Sequence, residues 1–271
     1  MGIGDVVDIV NWAPVRRSSM SEIVARPSHS VTGRGASALA SLGIDQWRTL
    51  AERAIEPNAY YLADWELAVN ASARGRTDAS VLTAYDDMPA AESGALIGLM
   101  PVISAWRAYR IPLPVLVSAD PYGTLCTPLL DRDKAEIAVA ALLRQARATG
   151  KHALILRNVA LEGEAMKAFT AALERDGIEP QPLQAHARAC LDATRDADDI
   201  LRDALGAKKL KELRRQRNRL AEHGEVSFQV ATAPGDVAEA LEIFLALEAS
   251  GWKARRGTAL AQDEGDAIFI R

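Results

Sequence analysis

Apolar positions along the chain recur first with a helical period, then in short runs, then with a helical period again. In "DQWRTLAERAIEPNAYYLADWELAVN" from Asp45, residues Trp47, Leu50, Ala51 and Ala54 share one helical face, and Pro57 ends that helix. A second helix follows with Tyr61, Trp65, Leu67 and Ala68 as its apolar residues. Three strand-like runs come next, "SVLTAYDD", "GALIGLMPVIS" and "YRIPLPVLVSA", each short, apolar and bounded by turn-forming residues. Pro112 and Pro114 remove ladder donors, so the third is predicted to be irregular there. A helix over about Lys134 to Ala148 stops at Gly150. The strand "HALILRNV", the helix "EGEAMKAFTAALERDG" and the strand "QAHARACLDA" complete this stretch. Strands alternating with helices predict an α/β protein with a mixed sheet flanked by helices.

The pattern then changes. Residues 196–224 read as one long helical region weakened at Gly206, followed by a strand, "VSFQVAT", and a helix, "PGDVAEALEIFLALEASGW". This repeats how the chain begins and predicts an internal repeat whose second copy is incomplete. The segment "PVRRSSMSEIVARPSHSVTGRGASALAS" has no sustained periodicity, which predicts a poorly ordered leader over 1–44.

Composition narrows the function. The chain has 271 residues, 49% of them hydrophobic and 25% charged, with a formal net charge of -4. Its sequence pI near 5.7 argues against a protein devoted to nucleic acid, which carries a net basic field. Two cysteines suit a reducing compartment, and four scattered histidines form no metal-ligand spacing. No apolar run reaches the roughly 18 residues of a membrane span, and no targeting segment opens the chain, so cytoplasmic residence is predicted. Positive charge is local instead: "GAKKLKELRRQRNRLAEHG" carries seven Lys or Arg against two Glu.

The order of elements, with "WRTLAERAIEPNAYYLADWELA", "LRRQRNRL" beside "GEVSF", and "LEASGWKARRGTAL", resembles the GNAT acyltransferase fold. Within it, these segments look like the acetyltransferases of cellulose and exopolysaccharide biosynthesis (CelD-like, BioF2-like), which are related to the tandem-GNAT FemAB-type proteins. The resemblance implies a first GNAT-like domain over 45–195, a connecting basic helix over 196–224, and the incomplete start of a second GNAT-like domain over 225–271, C-terminally truncated. It implies an acetyl-CoA-dependent N-acyltransferase, or its substrate-recognition half, acting on an amino-bearing sugar or a cell-envelope precursor. The other reading is a degenerate, non-catalytic GNAT scaffold serving as a protein-interaction module. GNAT enzymes hold the cofactor pyrophosphate on backbone N–H groups of a Gly-rich loop at a helix N-terminus. The corresponding loop here, "ADPYGTLCTPLLDRDKAE", has one Gly, two Pro and three Asp, so the first domain is not expected to bind coenzyme A in that way, and the main binding loop is expected to be missing from this chain.

Three groups are candidates for substrate or cofactor binding, each with a plainer structural reading beside it. On the basic helix, Lys211, Arg214, Arg215, Arg217 and Arg219 could grip an anionic ligand in a cleft between two GNAT-like domains, because the guanidinium fork pairs with phosphate or carboxylate. The alternative is a solvated helix whose Leu210, Leu213 and Leu220 pack as a narrow stripe, with Asp196, Asp198 and Asp199 complementing the dipole at its start. Nucleic-acid binding would want interleaved aromatics, and a membrane-surface helix a broader apolar face. The second group is Trp252, Lys253, Arg255 and Thr258, read as a substrate or interface loop, or simply as a loop around a half-buried Trp. The third is Asp120 and Tyr122 on the loop after a strand, where ligands of mixed sheets bind but where turn chemistry alone also suffices. No general base is identifiable. An incomplete second domain would leave an apolar face and a sheet edge open, which favours self-association.

Overall fold

The structure, a computed structural model, describes residues 4–10, 36–86, 94–189 and 191–271. Most of the expected leader, residues 11–35, lies outside the described residues. The part of it that is described includes a strand, β1 (Gly4–Val10), and a short strand, β2 (Ser37–Ala38). The described residues fall into two compact units, one of residues 4–188 with Asp263–Ile270, the other of Ala189–Gln262 with Arg271.

The first unit follows the apolar pattern closely. Helices α1 (Ile44–Glu52) and α2 (Ala63–Ser72) precede strands β3 (Ser80–Tyr85) and β4 (Leu96–Ser104). After the short helix α3 (Ala105–Tyr109), the third predicted strand shrinks to β5 (Val115–Ser118), because its two prolines cannot donate to a ladder. A two-residue strand, β6 (Leu129–Leu130), leads into helix α4 (Ala135–Ala148). Strand β7 (Ala153–Ala160), helix α5 (Glu164–Glu174) and strand β8 (Gln181–Arg188) follow, the last one earlier than the periodicity suggests. Helix α9 (Glu264–Ile270) returns to this unit, although the sequence groups it with the second domain.

The strand order is β2-β3-β4-β5-β7-β1-β8, with β6 beside β4. Every pairing is antiparallel except β5 with β7, so the sheet is mixed. Its faces are covered by different helices. On one face Leu82, Met100, Leu116 and Leu156 pack with Val139 and Leu142 of α4 and Phe169 of α5. On the other, Val81, Leu96 and Leu99 pack with Trp47 and Leu50 of α1, Tyr61 and Ala63. Strand β4 is apolar almost throughout because both of its faces are buried. Gly98 sets the distance to α4, since a Cβ there would stand 3.0 Å from both Ala84 Cβ and Ala138 Cβ.

The second unit is helical. Helix α6 (Ala197–Ala221) is capped by Asp196, whose carboxylate accepts hydrogen bonds from the Asp198 and Asp199 amides, and it is kinked at Gly206, where φ is 70°. Helix α7 (Pro234–Ser250) and the short helix α8 (Trp252–Arg256) complete it. Two expectations fail here. "VSFQVAT" forms no strand: no described segment pairs with it, Phe228 is 92% exposed, and a strand without a hydrogen-bonded neighbour has nothing to hold it. The Leu stripe of α6 does not pack either, since no residue of this helix is buried and Leu213 and Leu220 face solvent. Among the described residues, no helix is long and apolar enough to cross a membrane.

Leu142 is fully buried between α4 and the sheet. Leu142→Ala is expected to cost about 2–5 kcal/mol through a cavity at a tightly spaced contact. A lowered denaturation midpoint with an unchanged slope checks this.

Candidate functional site

Strands β5 and β7 run parallel, and the chain leaves β5 at Ser118 into a loop that carries Asp120 and Tyr122. This loop is held from several sides. The Arg157 amide donates to Ser118 Oγ at 2.9 Å, and its guanidinium donates to the Ser118 carbonyl through Nε at 3.1 Å and Nη2 at 2.8 Å. Asn158 adopts φ 49°, and its carbonyl accepts from the Cys126 amide at 3.2 Å. Arg188 donates to the Thr124 carbonyl and to Asn158 Oδ1, and Asn58 Nδ2 donates to the Thr127 carbonyl at 2.8 Å. The Tyr122 amide donates to Asp120 Oδ1 at 2.9 Å, a local turn that supports the positive φ of 56° at Tyr122. The amides of Tyr122 and Cys126 are therefore committed inside the protein and are not free to cradle a phosphate.

Around Asp120 and Tyr122 the loop builds a cavity of about 480 Å³ lined by Arg74, Arg76, Asp120, Tyr122, Thr124 and Asp266. Arg76 bridges two of these residues. Its guanidinium lies 3.2 Å from Asp120 Oδ2, and its Cζ sits 4.1 Å from the centroid of the Tyr122 ring. Behind Tyr122, Phe269 of α9 meets it edge to face at 5.0 Å and meets Trp65 at 5.2 Å, while Trp65 Nε1 donates to the Pro121 carbonyl at 2.7 Å. Gly123 must be a glycine, because a Cβ there would stand 2.3 Å from the Tyr60 ring. Asp266 enters from α9 and fixes its own direction by accepting the Arg74 amide at Oδ1, at 3.0 Å.

Beneath the loop lies a buried polar group that sequence reasoning missed. Glu66 of α2 is 1% exposed, and its Oε2 has no hydrogen-bond partner among the described residues. Burial, reinforced by the negative charge of Asp120, pushes its carboxyl up from 4.5 to about 9, so it carries a proton at neutral pH. Cys126 is buried too, and its thiol is pushed up to about 11, chiefly by burial, so it is no nucleophile. Tyr61 is raised well above its ordinary value by the same burial, and its hydroxyl donates to the Ala119 carbonyl at 3.0 Å. The signal for Glu66 lay in the spacing: it shares a helical face with Ala63 and Val69, both buried.

The other two candidate groups sit in the second unit. Lys211, Arg214, Arg215, Arg217 and Arg219 are all solvent-exposed on α6. Lys211, Arg214, Arg215 and Arg219 lie along one strip of the helix with Lys208 and Lys209, and Arg217 lies off it. All of the strip's lining residues belong to this single helix, with no opposing wall among the described residues, so it presents charge rather than a cavity. Arg215 makes a two-pronged contact with Glu212, at 3.0 and 2.7 Å. Trp252, Lys253 and Arg255 lie on α8, a helix where the sequence suggested a flexible turn, and only Gly257, with φ 68°, turns the chain. Lys253 pairs with Glu248, whose other oxygen accepts the Leu260 amide at 2.8 Å, and the Thr258 amide donates to the Lys253 carbonyl at 3.0 Å. Lys253 and Thr258 thus hold the segment together. Trp252, 55% exposed with Arg256 stacked on it at 5.2 Å, and Arg255 face solvent.

Glu66 sets a pH dependence. A carboxyl raised by folding contributes stability that is complete below the unfolded value and is lost as pH rises through the folded value, here from 4.5 towards about 9. The loss is at most about 1.4 kcal/mol per pH unit across that window. Glu66→Gln is expected to flatten the slope, melting well above the native chain near pH 8 and close to it near pH 4. Parallel melting curves of the two proteins at both pH values would contradict this reading.

No curated protein and no solved structure matches the chain. A family model described as the acetyltransferase (GNAT) domain matches residues 207–271, beginning one residue past the α6 kink, so a GNAT-type acetyltransferase domain is found in that part of the chain.

Proposed function

We propose that this chain is an acetyl-CoA-dependent N-acyltransferase, or its substrate-recognition half, acting in the cytoplasm on an amino-bearing sugar or a cell-envelope or exopolysaccharide precursor. The observation that carries the reading is the acetyltransferase (GNAT) domain at 207–271. The mixed sheet of the first unit, with β5 and β7 as its parallel pair, supports it as a GNAT-like domain with a degenerate cofactor loop. Within this reading α6 is the connecting helix, and the residues after it begin a second GNAT-like domain.

In such a transfer the cofactor supplies an acyl thioester. The acceptor amine would have to give up its proton to a base or to water as it takes up the acyl group that the cofactor would supply. The residues that fit an anionic cofactor are the cations of the α6 strip, Lys211, Arg214, Arg215 and Arg219, whose guanidinium forks and ammonium suit phosphate. Trp252 and Arg255, exposed on α8, are assigned to acceptor or interface contacts in the same reading. No aromatic residue lies between Gly206 and Gly224, which supports a small-molecule partner over nucleic acid.

A second reading, a non-catalytic interaction module, is favoured by the exposed apolar residues Phe228, Ile243, Phe244 and Leu247. Sedimentation that stays monomeric across a wide concentration range would remove the form of this reading in which copies self-associate.

Calorimetry with acetyl coenzyme A tests the enzyme reading, and no heat at millimolar cofactor sinks catalysis by this chain alone. Arg215→Ala together with Arg219→Ala is expected to weaken cofactor binding about tenfold or more while leaving the melting temperature nearly unchanged, because exposed pairs such as Arg215–Glu212 contribute well under 1 kcal/mol. A large drop in melting temperature would make these arginines structural.

A further inference from the structure

We propose that the cavity beside Asp120 and Tyr122 is a binding site for the ammonium group of an amino sugar, with Asp266 as its principal partner. The inference rests on the acyltransfer reading for its purpose, but its chemistry comes from the cavity. About 480 Å³ is room for about one or two sugar rings.

The hydrogen-bonding capacity left open in the cavity selects the ligand. Arg76 is already engaged: its Nη1 donates to the Arg74 carbonyl, its Nη2 faces Asp120, its plane lies on Tyr122, and its Nε, which has no partner among the described residues, is buried out of reach of the cavity. It has little left to offer an anion. Arg74 is drawn towards Asp263 at 3.3 Å. Asp266 is different. Its Oδ1 is held by the Arg74 amide, and its Oδ2 has no hydrogen-bond partner among the described residues, so a half-buried carboxylate is aligned and left with a free acceptor. Thr124, at the same cavity, has a hydroxyl whose one hydrogen bond among the described residues is a long one, 3.5 Å to the Tyr60 hydroxyl, and so suits a sugar hydroxyl.

Among the lining residues two guanidinium groups, Arg74 and Arg76, stand against two carboxylates, Asp120 and Asp266, so the lining holds no excess positive charge that would favour an anion.

The test is calorimetric titration of the whole chain with D-glucosamine, D-glucose and N-acetyl-D-glucosamine near pH 7. Glucosamine is expected to bind at least tenfold more tightly than either neutral sugar, since only it carries the ammonium. Asp266→Asn keeps Oδ1 for the Arg74 amide and is expected to remove that preference with an unchanged melting temperature. Equal binding of the three sugars, no binding of glucosamine, or an unaltered preference in Asp266→Asn overturns the proposal. A parallel acetyl coenzyme A titration separates the two ideas: cofactor binding without glucosamine binding overturns the pocket alone, and glucosamine binding without cofactor binding overturns the acyltransfer reading alone.

Discussion

Much of the first unit hangs on Tyr61. Its carbonyl accepts the Trp47 indole N–H at 2.8 Å, and its hydroxyl donates to Ala119 at 3.0 Å, just past the end of β5. Both partners are buried, so each polar group must find its bond inside the protein or lose its hydration without return. One residue, through its backbone carbonyl and its side-chain hydroxyl, thereby joins the helical layer under the sheet to the loop that forms the cavity. The loop is thereby tied to the core beneath it, which is what a binding surface built from turns needs.

The sheet could be foreseen because its cause is local. Apolar runs such as "LIGLM" in β4 and the helical spacing of Leu142, Leu143 and Ala146 in α4 are properties of neighbouring residues, and they fixed the elements and their burial to within a few positions. The prolines at 112 and 114 marked the third strand as irregular for the same reason, and the strand is reduced to β5. The second unit shows the limit of such reasoning. "VSFQVAT" and the Leu positions of α6 have the right periodicity for a strand and a packed stripe, yet periodicity states only what a segment could bury, and no described element covers either one.

The cavity was half legible. Asp120 and Tyr122 sit on the loop where mixed sheets bind ligands, and turn chemistry marked them. Arg76, Glu66 and Asp266 could not be assigned to it from spacing, because they reach the same region from two stretches of chain other than the loop, and Asp266 is more than a hundred residues away from the others. Glu66 alone left a trace, a carboxyl on the buried face of a helix, and its meaning depended on Asp120 being near.

The kink at Gly206 makes α6 less a rod than two short pieces sharing a joint. Helical order spreads along an unbroken hydrogen-bond ladder, and a piece below about 12–15 residues is marginal in water when nothing packs against it. The acidic piece before the joint and the basic piece after it can therefore melt separately. Their responses to salt also differ, since added ions screen attraction to the dipole in one and mutual repulsion among cations in the other. A polyanion that neutralises the basic piece would lengthen its lifetime as a helix without ordering its neighbour. The charged strip is then a segment whose folding is itself adjustable by what it binds.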